Sequence, residues 1–107
     1  MPERTEKVAK EIKELTAEFL AREGNRTSLI TVTSATASPD LKRATVYVTV
    51  LPSAKEQSAL GFLKRKRKEL RVFLKKNLII KTIPFVDIVL DLGEKNRQKI
   101  DELLRES

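Results

Sequence analysis

Apolar residues recur with two different periods along the chain. Between residues 3 and 23, Val8, Ile12, Leu15 and Phe19 return at steps of four and three, and Ala9 and Leu20 widen the stripe. That spacing predicts an amphipathic helix. Gly24-Asn25 supplies a stop, since both residue types tolerate the left-handed backbone of a helix end. The period then falls to two. Residues 29–38 are rich in β-branched side chains, with Ile30, Val32 and Ser34 expected on one face. Residues 42–51 alternate cleanly: Ala44, Val46, Val48 and Val50 on one side, Arg43, Thr45, Tyr47 and Thr49 on the other. This is the pattern of an antiparallel strand with one wet face. Between the two strands, Ser38-Pro39-Asp40-Leu41-Lys42 carries turn chemistry. Pro presets φ, and the Asp side chain bonds the backbone that follows it. A hairpin is predicted.

The helical period returns at Ser53-Ala54-Lys55-Glu56, which matches a capping box. From there to Asn77 or Leu78, Ala59, Leu60, Leu63, Leu70, Phe73 and Leu74 keep one phase. Lys66 and Arg67 interrupt the stripe, so either one long helix carries a charged gap or two helices meet at a bend. Gly61 costs about 1 kcal/mol relative to Ala inside a helix. Ile83-Pro84 ends any helix. Phe85–Leu90 reads as a strand, with Val86, Ile88 and Leu90 on one side and Phe85, Asp87 and Val89 on the other. Asp91 or Gly93 begins a last short helix, whose apolar face holds Ile100, Leu103 and Leu104. The order is α-β-β-α-(α)-β-α. It predicts an α+β fold with helices on one face of a small sheet, in a single domain over residues 1–107.

Composition narrows the chemistry. The chain has no histidine and no cysteine. The usual neutral-pH acid–base group, thiolate zinc sites and Cys–His nucleophiles are therefore excluded. The three glycines, Gly24, Gly61 and Gly93, are too scattered for a phosphate-cradling loop. Asp87 and Asp91 lie four apart, but a strand-end cap and a wet-face carboxylate explain them better than a metal site does. No cofactor is expected and an enzyme is the least favoured class. No apolar run approaches the ~18 residues that suggest a membrane span, and the start is polar. A cytoplasmic location is expected.

Charge is where the sequence speaks about function. Nine of the 22 Lys and Arg residues lie between Lys64 and Lys81, with Glu69 as the single acid among them. That stretch carries +8, while the other residues, 13 basic and 14 acidic, carry −1. Segregated charge makes a local field that favours a polyanion. On one helix, Lys64, Arg67, Lys68, Arg71 and Lys75 would form a stripe of ~16 Å, long enough to span several phosphates. Lys66 falls off that stripe. A merely solubilising face would carry acids at i−4 or i+4, and here only Glu69 and the distant Glu56 are near. The candidate nucleic-acid-binding residues are Lys64, Arg65, Lys66, Arg67, Lys68, Arg71, Lys75 and Lys76, with Lys42 and Arg43 on the hairpin. Phe19 and Phe73 sit on core stripes, and Tyr47 alone makes no stacking platform for bases. The expected mode is contact with RNA backbone and shape.

Ser38-Pro39-Asp40-Leu41, then Ala44, then Val46-Tyr47-Val48 resembles a run found in the ribosome-binding factor A family. Ile30-Thr31-Val32-Thr33 fits as well, as do Lys7-Val8-Ala9 with Ile12, Ile83-Pro84 followed by Val86, Ile88 and Asp91, and Ile100-Asp101-Glu102-Leu103-Leu104. The resemblance covers nearly the whole chain. It implies a KH-like (type II) α-β-β-α-α-β domain with a three-stranded sheet, in which an Ala-x-Gly kink replaces the usual Gly-x-x-Gly loop. Ala59-Leu60-Gly61 has the letters of that kink, but it lies too far before Pro84. Lengths counted from both strands place the kink at Lys66-Arg67-Lys68, so the hinge has exchanged small residues for charges. Arg97 stands where the family usually has a glycine, and the long C-terminal tail of some members has no counterpart in these residues. The resemblance further implies a monomeric, non-enzymatic assembly factor that binds the small (30S) ribosomal subunit, contacts 16S rRNA and aids its late processing and folding. A general nucleic-acid-binding module and a basic protein-interaction domain are the competing expectations.

Overall fold

The central strand of the sheet is the one with the cleanest alternation. In the computed structural model, which describes residues 2–23, 29–78, 80 and 83–94, β1 (Leu29–Ala37) and β2 (Arg43–Leu51) pair antiparallel. A third strand, β3 (Phe85–Leu90), lies parallel to β2 on its other side, giving the order β1-β2-β3. Val46 and Val48 are fully buried and Ala44 and Val50 nearly so, because β2 faces the helices with every second residue.

Helix α1 (Pro2–Glu23) lays its stripe of Val8, Ile12, Phe19 and Leu20 on the core formed by that valine face. The stretch after β2 starts with a 3-10 turn at Ser53–Lys55 and becomes α2 at Glu56–Arg65. The N-cap of α2 is Lys55 and makes no side-chain cap bond. The predicted cap Ser53 thus lies one turn before the α-helix proper. A second helix, α3 (Arg67–Asn77), follows after a single residue. Ala59, Leu63, Leu70 and Leu74 from the two helices are buried, as one phase of apolar residues requires. Phe19 and Phe73 meet with ring centroids 5.6 Å apart, joining α1 to α3.

The hairpin turn follows its sequence closely. The Leu41 N–H bonds the Ser38 carbonyl at 2.9 Å. Asp40 Oδ1 accepts the Lys42 N–H at 3.0 Å and the Ser38 hydroxyl at 2.6 Å. These two bonds, the hydroxyl first, hold the Asp40 carboxyl below its ordinary value. Leu41 sits at φ 59°, which costs a residue with a Cβ roughly 1–2 kcal/mol. Packing of its side chain against the core offsets that strain.

One expected face is corrected. Ser34 does not share the side of Ile30 and Val32. A bulge between Val32 and Ser34 inserts an extra residue, so Ser34 pairs with Tyr47 and Ala35 takes the core side opposite Val46. The displaced Thr33 hydroxyl donates to Asp91 Oδ2 at 2.6 Å and lies 3.2 Å from the Tyr47 carbonyl. Asp91 also accepts the Glu94 N–H at 2.9 Å, the cap bond expected of a helix start after β3. Gly24-Asn25 and the apolar residues assigned to the last helix, Ile100, Leu103 and Leu104, lie outside the described residues.

Candidate nucleic-acid interface

The basic segment is two helices, not one. Lys66 stands alone between them at φ −89°, ψ 0°. Its N–H still bonds the Phe62 carbonyl at 3.0 Å, and its own carbonyl accepts the Leu70 N–H at 2.9 Å. These two bonds flank the break at which α2 ends and α3 begins. The position agrees with the length argument and not with Ala59-Leu60-Gly61, all three of which lie inside α2.

The bend divides the expected stripe. Lys64 and Arg65 end α2, whereas Arg67, Lys68, Arg71 and Lys75 rise along α3 at helical spacing. A cleft of about 240 Å³ opens between the first turns of α3 and the start of β3. Arg67, Lys68 and Arg71 line it on one side, Pro84, Phe85 and Val86 on the other, over Leu70. The hairpin cations belong to the same region, because Arg43 pairs with Phe85 in the sheet and the Phe85 N–H bonds the Lys42 carbonyl at 2.9 Å. Lys76 is not part of this group. It faces the groove between α1 and α3 with Arg22, Glu23 and Glu69.

Two of the ten candidates have carboxylate partners, and two of those carboxylates, Glu23 and Asp87, are ones that local sequence could not name. Arg67 Nη2 lies 3.1 Å from Asp87 Oδ1, and its guanidinium sits 5.1 Å above the centre of the Phe85 ring. Lys66 Nζ lies 3.2 Å from Glu69 and 3.5 Å from Glu23 at the end of α1. The bond to Glu69 raises the Lys66 pKa, burial opposes that, and the charges of Glu69 and Glu23 add to the rise. The other eight, Lys42, Arg43, Lys64, Arg65, Lys68, Arg71, Lys75 and Lys76, are exposed and form no ion pair among the described residues.

Sequence reasoning missed Phe85. The residue is 44% exposed beside the cations, and its place on the outward side of β3 was the available signal. Tyr47 is half-buried. No group of acids among the described residues is placed to hold a metal ion, and no described helix is long and apolar enough to cross a membrane.

The family model of ribosome-binding factor A matches residues 4–104. The chain belongs to the ribosome-binding factor A family. A family member from Paenarthrobacter aurescens is 35% identical over 99% of this chain, and one from Geobacter is 32% identical over 99%. The chain spans 65% of the first relative's length, less than two-thirds, and 92% of the second's. Among solved structures, ribosome-binding factor A from Thermus thermophilus matches with a TM-score of 0.67 at 23% identity, covering 75% of this chain and 88% of that one. A homology model of the Thermus thermophilus family member, fitted into a cryo-EM map of its complex with the 30S subunit, gives 0.64 at 24% identity, covering 72% and 84%. These likenesses show the fold: a mixed three-stranded sheet with helices, consistent with a KH-like domain.

Proposed function

We propose that this chain is a small-subunit maturation factor that binds 16S rRNA through α3, the end of α2 and the Lys42–Arg43 corner. The reading rests on one observation above all. Lys68, Arg71 and Lys75 stand along α3 with no carboxylate partner among the described residues, beside a cleft with an exposed aromatic wall. Family membership and the 30S complex of the Thermus relative support the choice of ribosomal RNA among polyanions.

The mechanism is electrostatic and non-catalytic. Free cations replace condensed counterions on the phosphates and hold one RNA conformation. The Arg67 guanidinium, fixed between Asp87 and Phe85, forms a flat wall against which an unpaired base can lie. The protein acts in the cytoplasm, as a monomer, without a cofactor.

Co-sedimentation with purified small subunits over a salt series tests this. With about four phosphates neutralised by Arg43, Lys68, Arg71 and Lys75, the log–log salt slope on irregular RNA is expected near −3. Replacing Lys68, Arg71 and Lys75 by Glu abolishes binding, while Lys10→Glu on α1 leaves it unchanged. Binding that survives the triple reversal, or that resists RNase, refutes the reading and favours a protein partner.

A further inference from the structure

Both cations at the bend meet carboxylate and aromatic groups, Lys66 Nζ lying 5.9 Å from the centre of the Phe62 ring. Arg67 presents a planar guanidinium to one carboxylate and one aromatic ring. Lys66 is a compact ammonium on a flexible stem, reached by two carboxylates from two different helices at 3.2 and 3.5 Å. Its side chain is 28% exposed, and those of Glu23 and Glu69 are 44% and 56% exposed. Water and salt reach such pairs, so each is weak and exchanges readily. Lys64, Arg65, Arg67 and Lys68 surround Lys66 in sequence. In that surplus of positive charge, two carboxylates on one ammonium do what a phosphate does: they present charged oxygen acceptors to three rotatable donors.

We propose that Lys66 is a cation held in reserve, with Glu23 and Glu69 occupying in the free protein the place that an RNA phosphate takes on binding. This rests on the RNA-binding reading above and adds to it an internal competitor. Binding RNA then exchanges a tether between α1 and α3 for a phosphate contact. It weakens the complex by the strength of the tether and unties the last turn of α1 from the bend. A factor that must leave its subunit gains a built-in means of release: when the phosphate withdraws, the two carboxylates recapture the ammonium.

The test is a double-mutant cycle on the full chain, read by filter binding to purified 16S rRNA at fixed salt. Glu23→Gln and Glu69→Gln are each expected to bind about 1.4- to fivefold tighter, the range that corresponds to an exposed ion pair worth about 0.2–1 kcal/mol. The salt slope should change little, because Lys66 meets the same phosphate in the wild type and in both variants. In a Lys66→Met background the same two substitutions should give no gain, since the reserve cation is gone. Gains that persist there overturn the inference, because the acids would then act as general repulsion of RNA. Absence of any gain in the wild-type background overturns it too. Loss of salt-dependent RNA binding by the wild-type chain would instead overturn the reading beneath it. Thermal melts of all five variants establish that each is folded at the assay temperature.

Discussion

Thr16 offers a direct measure of what a lone hydroxyl costs in this core. It lies on the buried side of α1 with no exposure, and its Oγ1 has no hydrogen-bond partner among the described residues. Neighbours on the same helix face, Ile12, Phe19 and Leu20, are apolar and buried. An unpaired buried hydroxyl costs about 1–3 kcal/mol on the scale of protein substitutions. Thr16→Val keeps the β-branched shape and nearly the same helix propensity, so neither rotamer entropy nor backbone preference changes much. Val is therefore expected to stabilise the protein by roughly 1–3 kcal/mol. For a chain of 107 residues, an unfolding entropy of about 2.1 cal/mol/K per residue converts this into a Tm rise of about 4–13 °C. Thr16→Ser, which keeps the hydroxyl and removes a methyl, should lose about 1 kcal/mol. Thermal melts followed by circular dichroism and urea midpoints at constant m check both. A Val variant no more stable than the parent would refute the reasoning. The hydroxyl would then be satisfied in solution, by a trapped water or by the carbonyl one turn earlier.

Other expectations concern the turn, the cleft and the core. The Asp40 carboxyl is held below its ordinary 3.8. Its contribution to the hairpin is thus complete above that value and lost as pH falls through the lower folded pKa. An NMR titration of Asp40 should place the midpoint below 3.8, and a midpoint at or above it would contradict the Ser38 and Lys42 bonds. Arg67→Lys keeps the charge but loses the planar fork over Phe85, so RNA affinity should fall about two- to fivefold while Lys68→Arg has little effect. Equal effects in a binding titration would mean that only net charge matters. Leu74→Ala, at a site with no exposure, should cost about 2–5 kcal/mol in urea unfolding.

Where a structural decision was local, the sequence carried it. The helical stripe of α1, the alternation of β2, the Asp40 turn and the strand Phe85–Leu90 all follow from neighbours within a few residues. The position of the bend at Lys66 was legible, through the charged gap in the apolar stripe and the lengths on either side, but the sequence left open whether one helix ran through it or two met there. Ser34 was misplaced because a bulge shifts the phase of a strand without leaving a mark in a run of Thr, Ser and Ala. The electrostatics of the bend were legible only in part, through Glu69 three residues from Lys66. Glu23 and Asp87 lie 43 and 20 residues from the cations they hold, and nothing in a window around Lys66 or Arg67 contains them. The same is true of the cleft, whose two walls come from separate elements. The unpartnered character of Lys68, Arg71 and Lys75 was visible as a lack of nearby acids, and it is they that stand along α3 beside that cleft.

The parallel pairing of β2 with β3 has a consequence for how the molecule comes together. Parallel neighbours cannot be joined by a tight turn and need a long crossover. Here that crossover is α2 and α3, the very helices that bear the cations. The hairpin of β1 and β2 closes over a five-residue turn, whereas β3 must wait for both helices to fold back. The cleft beside Phe85 accordingly cannot form until that crossover has folded back, since its walls come from α3 and β3. A full-length chain whose crossover has not folded back carries the same cations without the shaped cleft that orders them.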